Sequence, residues 1–319
     1  MDQFAPFDRR SIPGDATVGG WAAADGWQLR RFDWPAPAGE RRGSILFLGG
    51  RGDIFEKYLE SFAHWRRAGW SVSSFDWRGQ GGSGRLAADP NVGHASDFAP
   101  WIDDLAGFFA QWVAATPAPH VVITHSMGGH LVMRALAEGR IAPDAAVMTA
   151  PMLGLYSKPF PPRVAGLLAR LMTRVGAPER PAWKSNERPS PPGGLSRQKL
   201  LTHDLDRYAD ELWWKEQKPA LALGPPSWAW LATAYASTAA LERPGRLEAI
   251  RTPILLIGAS ADRLVDPAAI VRAARRLPNA EIVMFGPESA HEILREADPV
   301  RNRTLALIDA FLDAQAPAR

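Results

Sequence analysis

Short apolar runs alternate with amphipathic stretches along the first half of the chain. The runs WQLRRFDW, GSILFLGG, WSVSSFDW, HVVITH and DAAVMTAP predict strands. Between them, EKYLESFAHWRRAG places Leu59, Phe62 and Trp65 at helical spacing, and DFAPWIDDLAGFFAQWVAA and GGHLVMRALAEGR also predict helices. Alternation of this kind predicts a mostly parallel sheet with helices on both faces.

The pattern changes after Pro151. Between residues 153 and 246 it predicts three helices and no strand, in RVAGLLARLMTRVG, RQKLLTHDLDRYADELWW and SWAWLATAYASTAALE. The apolar residues of the first two helices each form one stripe: Val164, Leu167, Leu168, Leu171, Met172 and Val175 in the first, and Leu201, Leu205, Tyr208 and Leu212 in the second. We expect these stripes to pack against the core. A loop rich in proline and charge, at 177–194, separates the two helices.

Strand and helix signals alternate again toward the end of the chain, in TPILLIG, DPAAIVRAARRL, AEIVMFG and DPVRNRTLALIDAFLDA. The middle segment is therefore best explained as an insertion. We predict an α/β fold whose core comprises residues 1–152 and 247–319 and whose helical cap comprises residues 153–246.

The composition fits one large globular core. Of the 319 residues, 46% are hydrophobic and 22% are charged. Lys and Arg number 37 against 34 Asp and Glu, without a basic run, so the sequence does not indicate nucleic-acid binding. The chain has no cysteine, which excludes disulfides and thiolate ligands. No metal-ligand spacing occurs, and we expect neither a metal nor a cofactor.

The N-terminal stretch MDQFAPFDRRSIPGDA lacks the apolar segment of a secretory signal. No stretch approaches the ~18 uncharged apolar residues of a membrane span. We therefore expect a cytoplasmic location. Transient contact of the cap with a micelle or with the inner membrane surface is a further expectation. The pattern carries no indication of oligomeric state.

One serine stands at a predicted strand–helix corner, in ITHSMGGH. A nucleophile in a strand–turn–helix elbow needs small residues two positions before and after it, which gives the pattern G-x-S-x-G. Gly128 is the small residue two positions after the serine, and Gly129 further reduces crowding at the turn. Thr124 stands two positions before the serine, where a glycine is usual. A serine between glycines is often only part of a turn, but the strand before it and the helix after it favour Ser126 as a nucleophile.

A serine nucleophile needs a base, and the base needs a carboxylate that orients it. In this type of site they follow the serine in the order acid, then histidine, on loops after late strands. Asp262 and Asp266 both follow the strand ILLIG. Asp266 precedes a proline at a predicted helix start and so has a structural role as N-cap. We therefore favour Asp262 as the acid, with Asp266 as its rival.

His291 comes shortly after the last predicted strand, in GPESAHEIL. An isolated loop histidine is usually a surface residue, but its order along the chain favours His291 as the base. The other histidines lie on strands, on early helices, in the cap or beside the serine: His64, His94, His120, His125, His130 and His203.

Acyl transfer also requires two backbone N–H groups that bind the developing oxyanion. The first is expected from Met127, at the start of the helix that follows the serine. The loop GGRGD after the strand GSILFL offers the second, and we favour Arg51. Glycines at 49, 50 and 52 let this backbone approach a substrate closely.

Five stretches resemble the α/β-hydrolases of the monoacylglycerol lipase and bacterial lysophospholipase type, which are similar to the serine aminopeptidase S33 proteins: FDWRGQGGSGR, HSMGG, TAPMLG, GASADRLVD and AHEIL. The stretches GRGDIFEKY and GRLAADPNVGH look closer to the lysophospholipase branch. Proteins of the monoglyceride branch usually begin the oxyanion loop with His-Gly, and Gly49 replaces that histidine. The resemblance implies the α/β-hydrolase fold and the same nucleophile, acid, base and oxyanion donors.

These inferences predict a serine hydrolase that cleaves carboxylic esters of single-acyl lipids through an acyl-enzyme. The expected walls of an apolar acyl channel are the leucine stripes and five cap tryptophans, Trp183, Trp213, Trp214, Trp228 and Trp230. A short-chain or aryl esterase, a lactonase or an acyltransferase would use the same triad and stays open. A ligand-binding protein on an inactive hydrolase scaffold is a remote alternative, which the intact triad disfavours.

Overall fold

The computed structural model describes residues 7–39, 41–183 and 196–318. Within these ranges an eight-stranded sheet consists of β1 Thr17–Ala22, β2 Gln28–Trp34, β3 Gly43–Leu48, β4 Trp70–Phe75, β5 His120–His125, β6 Ala145–Thr149, β7 Ile254–Ala259 and β8 Ala280–Phe285. Their order across the sheet is β1-β2-β4-β3-β5-β6-β7-β8. The pairs β1–β2 and β2–β4 are antiparallel, and every other neighbouring pair is parallel. The mostly parallel sheet confirms the predicted fold class.

Strand β1 is an element that the sequence pattern did not predict. Its sequence TVGGWA contains two glycines, and of its residues only Trp21 is buried, so it lacks the apolar alternation of a strand. It pairs with β2 through a turn at Asp25 and Gly26, where Gly26 has φ +86°. An Asp-Gly pair is a strong hairpin signal. That dipeptide was the available clue.

Helices of eight or more residues are α1 Leu59–Arg67, α2 Ala99–Ala115, α3 Met127–Ala137, α4 Pro162–Arg174, α6 Leu205–Gln217, α7 Trp228–Leu241, α8 Pro267–Ala274 and α9 Asp298–Gln315, and α5 is the shorter Arg197–Leu201. The sheet separates two apolar clusters. Helices α2, α3 and α8 contribute to one of them, and α1 and α9 contribute to the other. Strands β3, β5, β6 and β7 are buried along their whole length, as expected of parallel strands covered on both faces.

Helices α4 to α7 lie between β6 and β7 in the chain, within the segment predicted as the cap. The division into core and cap stays a prediction. The loop predicted at 177–194 falls largely outside the described residues, which end at 183 and resume at 196.

The single helix predicted around Leu201 and Leu205 is wrong, because the chain breaks between α5 and α6. Thr202 is extended, and its hydroxyl donates a hydrogen bond to the Arg295 carbonyl oxygen at 2.7 Å. Asp204 then caps α6 by accepting a hydrogen bond from the Arg207 backbone N–H at 2.8 Å.

The expectation that the apolar stripes of α4 and α6 pack against the core is also wrong. On α6, Leu205 is 66% exposed, whereas Arg207, Asp210, Glu211 and Trp214 are buried. On α4 most of the stripe is exposed, and the buried residues are Gly166 and Ala169. A Cβ on Gly166 would lie 3.1 Å from Tyr235 Cβ of α7. The small residues of α4, rather than its leucines, thus make the packing face.

Candidate active site

Ser126 lies at the corner between β5 and α3. Its φ of 52° and ψ of −117° are unusual for a residue with a side chain. The neighbouring helix approaches the loop after β3 closely, because a Cβ on Gly128 would lie 2.5 Å from the carbonyl oxygens of Leu48 and Gly49. The small residues around the serine therefore allow α3, β5 and the β3 loop to meet at one point.

Thr124, the departure from the usual glycine pattern, is accommodated by Gly129. Its side chain is fully buried and its hydroxyl donates a hydrogen bond to the Val147 carbonyl oxygen at 3.3 Å. A Cβ on Gly129 would lie 3.2 Å from Thr124 Oγ1 and 2.7 Å from Pro151 Cβ. The second glycine therefore leaves the space that the threonine occupies.

The structure brings Ser126, His291 and Asp262 together, although each follows a different strand. His291 Nε2 lies 2.9 Å from Ser126 Oγ, and His291 Nδ1 lies 2.6 Å from Asp262 Oδ2. The other oxygen of Asp262 accepts hydrogen bonds from the backbone N–H groups of Leu264 and Val265, at 2.7 and 3.1 Å. These bonds fix the carboxylate in its loop.

The rival acid, Asp266, caps helix α8 as its Asp-Pro sequence indicated. Its Oδ1 accepts a hydrogen bond from the Ala268 backbone N–H at 3.0 Å. Asp262, and not Asp266, is therefore the carboxylate in contact with His291.

Two opposing effects act on the His291 imidazole. Burial by itself lowers the pKa of His291, because it disfavours the charged ring. The Asp262 carboxylate raises it through its charge and its hydrogen bond, and the charges of Glu292 and Asp53 add to this effect, so the net result is a pKa above the ordinary histidine value. A base whose protonated form is stabilised in this way is suited to taking a proton from a serine.

The predicted oxyanion donors lie on the two segments that flank the serine. A Cβ on Gly50 would lie 2.8 Å from Ser126 Cβ, so the loop before Arg51 packs directly against the nucleophile. Across the described residues, neither the Arg51 nor the Met127 backbone N–H has an intramolecular acceptor. The Gly50 and Gly52 N–H groups, in contrast, donate to Asp53 and Gln80. The two predicted donors are therefore free to bind an oxygen of a substrate.

Asp53 anchors the loop of residues 49–53, which we name the oxyanion loop after its predicted donor Arg51. Its Oδ2 accepts hydrogen bonds from the Gly50 N–H at 2.7 Å and from the Tyr58 hydroxyl at 2.8 Å. The same oxygen lies 2.8 Å from His125 Nδ1, and Oδ1 lies 2.5 Å from Lys57 Nζ. Burial alone would raise the pKa of Asp53, but Lys57 and His125 hold it well below the ordinary value. Asp53 therefore carries a negative charge close to the nucleophile.

The charge cluster continues from Lys57 toward helix α6. Lys57 Nζ also lies 2.6 Å from Glu292 Oε1 and 3.1 Å from Glu211 Oε2, and Arg295 contacts both glutamates. The cluster thus consists of Asp53, Lys57, Glu211, Glu292 and Arg295, all buried. It links the oxyanion loop, the residue after His291 and helix α6.

Backbone contacts join α5 to the candidate base in the same region. The His291 N–H donates to the Leu200 carbonyl oxygen at 3.3 Å, and the Glu292 N–H donates to the Leu201 carbonyl oxygen at 2.7 Å. The segment that carries His291 is therefore held by α5 as well as by the charge cluster.

Sequence reasoning missed this cluster. It assigned His125 no role, but the His125 ring packs 4.7 Å from the His291 ring, between centroids. The spacing of Asp53 and Lys57, four residues apart directly after the glycine loop, was an available signal. Neither residue type indicates burial by itself, because Asp and Lys are usually exposed.

The five cap tryptophans do not share one environment. Trp214 donates a hydrogen bond to the Arg9 carbonyl oxygen at 3.0 Å and packs edge-on against Trp213 at 5.0 Å. Trp183 is 46% exposed and Trp228 is partly buried. Trp230 is buried, and the Arg51 guanidinium lies 5.7 Å from its ring centroid. Trp230 is thus joined to the oxyanion loop, and the channel formed by all five stays a prediction.

Comparison with known proteins shows which family this chain is similar to. The model of the family described as serine aminopeptidase, S33 matches residues 39–298, more than half of the chain. Lysophospholipase L2 of Escherichia coli (strain K12) is 30% identical over 291 residues, which cover 86% of this chain and 82% of that protein. A probable lysophospholipase L2 of Haemophilus influenzae is 27% identical over 288 residues, which cover 88% of this chain and 87% of that protein.

Solved structures show the same fold at low sequence identity. A soluble variant of monoglyceride lipase from Saccharomyces cerevisiae, in complex with a substrate analogue, superposes with a TM-score of 0.76 at 18% identity, covering 98% of this chain and 99% of that one. A monoacylglycerol lipase from Paleococcus ferrophilus gives a TM-score of 0.68 at 20% identity, covering 89% and 98%. These likenesses show the architecture that positions the serine, the histidine and the carboxylate.

Proposed function

The chain belongs to the serine aminopeptidase S33 family of α/β-hydrolases, and from this premise we propose that it hydrolyses carboxylic esters of single-acyl lipids, the class that includes lysophospholipids and monoacylglycerols. The names of its relatives, lysophospholipases and monoglyceride lipases, support this substrate class. The observation that carries the proposal is the continuous contact from Ser126 Oγ through His291 to Asp262, at 2.9 and 2.6 Å.

In the proposed reaction His291 Nε2 accepts the hydroxyl proton of Ser126 while Oγ attacks the ester carbonyl carbon. The carbonyl oxygen becomes an oxyanion, which accepts hydrogen bonds from the Arg51 and Met127 backbone N–H groups. His291 then donates its proton to the leaving alcohol oxygen as the ester bond breaks and the acyl-enzyme remains. Loss of one oxyanion donor in such a site lowers transition-state stabilisation by about 3 kcal/mol.

Water completes the proposed cycle. His291 accepts a proton from water as the hydroxide oxygen attacks the acyl carbon, and the proton returns to Ser126 Oγ when the fatty acid leaves. Asp262 stabilises the imidazolium in both steps and holds Nδ1 in its orientation.

Labelling with an organophosphonate serine probe tests the nucleophile. We expect the wild-type protein to be labelled once and Ser126→Ala not to be labelled, with ester hydrolysis reduced about 10⁴-fold or more. Unchanged thermal unfolding of Ser126→Ala is the control for folding. Persistent labelling of the variant would contradict the assignment, and a wild-type protein that neither reacts nor hydrolyses any ester would favour the binding-protein alternative.

A panel of esters of increasing acyl length tests the substrate class. Each CH₂ group that becomes buried contributes about 0.8 kcal/mol, so we expect kcat/KM to rise with chain length up to a plateau. Flat activity from acetate to laurate esters would instead favour a short-chain or aryl esterase. Transfer of the acyl group to an added alcohol in preference to water would favour an acyltransferase.

The cap contact with a lipid surface belongs to the same proposal, and helix α4 supports it. The exposed apolar side chains around this helix are Phe160, Val164, Leu167, Leu168, Leu171 and Val175, at 45% to 68% exposure. Between Tyr156 and Pro178 the chain has four basic residues and no acidic residue. An amphipathic helix with an exposed apolar face and basic flanks is suited to an anionic lipid surface. Among the described residues, no helix combines the length and apolarity that crossing a bilayer requires.

A further inference from the structure

The side chain of Arg51 extends from the oxyanion loop toward the cap. Its Nη1 donates a hydrogen bond to the Gly224 carbonyl oxygen at 2.8 Å. A Cβ on Gly93 would lie 2.7 Å from the same nitrogen, so the glycine leaves room for the guanidinium. The face of Trp230 lies 5.7 Å from the guanidinium carbon. Arg51 therefore has two groups that a substrate can meet. Its backbone N–H lies at the predicted position of the reacting carbonyl, and its guanidinium lies one side-chain length away.

The Arg51 guanidinium has few hydrogen-bond or ion-pair partners for a buried cation. A guanidinium has five N–H donors, and among the described residues Arg51 uses one of them, on a neutral carbonyl oxygen. No carboxylate of the described residues lies within ion-pair distance of it. Burial, together with the nearby Arg197 cation, lowers the pKa of Arg51 to about 10, and the Asp53 charge offsets only part of this effect. A cation in such surroundings is stabilised when an anion binds beside it.

Arg85 shows how this protein satisfies an arginine that has a purely structural role. It contacts the same cap segment, and its donors reach five backbone carbonyl oxygens: those of Gly81, Gly84, Pro90, Ala220 and Ala222. Among the described residues Arg85 also has no carboxylate partner, but its hydrogen bonds are made within the chain. The remaining N–H donors of the Arg51 guanidinium, in contrast, are available to an acceptor on a ligand.

The distance between the ester carbonyl and the phosphate of a lysophospholipid is similar to the distance between the backbone N–H and the guanidinium of Arg51. Its glycerol unit separates the ester carbonyl carbon from the phosphorus by about six bonds of roughly 1.5 Å each. An arginine side chain covers a similar distance between its Cα and its guanidinium carbon. A carbonyl oxygen on the Arg51 N–H thus leaves the phosphate within reach of the guanidinium. Guanidinium and phosphate form strong bidentate hydrogen bonds.

Resting on the proposed ester hydrolysis, we propose that the Arg51 guanidinium binds the headgroup phosphate of a lysophospholipid while the Arg51 backbone N–H binds the oxyanion. Arg51 is then the residue that distinguishes a lysophospholipid from an uncharged monoacylglycerol of the same acyl chain.

The test compares kcat/KM for lysophosphatidylcholine and for monoacylglycerol of matched chain length, in wild type, Arg51→Gln and Arg51→Lys. Each variant retains the backbone N–H. We expect Arg51→Gln to lower the ratio of kcat/KM for lysophosphatidylcholine to kcat/KM for monoacylglycerol about 10–100-fold. Arg51→Lys, which keeps the charge without the planar fork, should restore part of the ratio. Arg85→Gln is the matched control and should leave the ratio at the wild-type value.

Distinct outcomes separate the two proposals. Equal loss on both substrates in Arg51→Gln, or an equal shift of the ratio in Arg85→Gln, would overturn the headgroup assignment and leave ester hydrolysis standing. A wild-type protein that hydrolyses neither substrate would overturn both proposals. If the substrate ratio is unchanged in Arg51→Gln, but millimolar inorganic phosphate inhibits monoacylglycerol hydrolysis by the wild type and not by Arg51→Gln, the cation binds free phosphate instead.

Discussion

At the scale of single residues, the environment of His291 sets the conditions for proton transfer. The imidazole is buried, which favours its neutral form, and it faces a buried carboxylate, which favours its charged form. Asp262 acts together with the charges of Glu292 and Asp53, and their combined effect outweighs burial. The pKa of His291 therefore lies above the ordinary value of about 6.5. Only the neutral imidazole can accept the Ser126 proton.

The pH profile of kcat/KM should follow from this balance. We expect activity to be low in acid and to rise with an inflection above about pH 6.5, as His291 loses its proton. Asp262→Asn removes the largest of the raising effects and leaves burial in place, so the inflection should move to lower pH while kcat falls about 10³–10⁴-fold. Asp266→Asn, which keeps a good helix cap, should leave the inflection in place. A shift of the Asp262→Asn inflection to higher pH would contradict the assignment.

At the scale of elements, helices α4 and α6 show that an apolar stripe does not always point inward. Helix α4 packs on α7 through Gly166 and leaves its leucines outside. Helix α6 buries Glu211 in the charge cluster and leaves Leu205 and Leu212 exposed. The two exposed stripes differ in charge, because α4 contains no acidic residue, whereas α6 contains several.

That difference predicts which helix binds lipid. Substitution of Leu167 and Leu171 by Gln should reduce sedimentation of the protein with vesicles that contain anionic phospholipid, because both side chains lie on the exposed face of α4. Hydrolysis of a water-soluble short-chain ester should change little. The matched control places Gln at Leu205 and Leu212, on the acidic helix, and should sediment like wild type. Equal loss in both double variants would contradict a specific role of α4, and a change from dimer to monomer would assign the stripe to a second copy of the chain.

At the scale of the whole molecule, the buried charge cluster joins parts of the chain that are distant in sequence. Lys57 contacts Asp53 nearby, Glu211 on α6 and Glu292 beside His291. Burial by itself raises the pKa of each of these carboxylates, but the neighbouring cations lower all three below their ordinary values. Carboxylates with lowered pKa contribute stability above their unfolded pKa, near 4, and this contribution is lost as the pH falls through the folded values.

Lys57→Met should therefore change the acid stability of the protein. It leaves three buried carboxylates with less positive charge, which should lower the free energy of unfolding at pH 7 by about 3–5 kcal/mol. Their folded pKa values should rise, so the midpoint of acid unfolding should move to higher pH. Urea unfolding measured from pH 3 to pH 8 tests both effects. Arg272→Met, which breaks an exposed ion pair with Glu242, should do neither, and an unchanged acid midpoint in Lys57→Met would show that Lys57 does not hold the cluster.

The sequence by itself determined the fold class and the three residues that meet at the candidate site. Parallel strands end at one edge of a sheet, so residues placed after β5, β7 and β8 are brought together by chain order alone. Ser126, Asp262 and His291 stand at such positions, and the N-cap signature of Asp266 favoured Asp262 over it, although the structure decided between the two acids. Local pattern suffices for these features because a strand, a helix start or an elbow is encoded within a few residues.

Only the tertiary structure decided which helix faces are covered and which charges are buried. No local pattern shows that α4 packs through Gly166, that β1 adds to the sheet through β2, or that Lys57 meets Glu292. Nor does it show that Arg51 reaches Gly224 and has no carboxylate partner in the part of the chain that the structure describes. Burial of a side chain depends on partners that are far apart along the chain, and a charged residue becomes stable inside the protein only once those partners surround it.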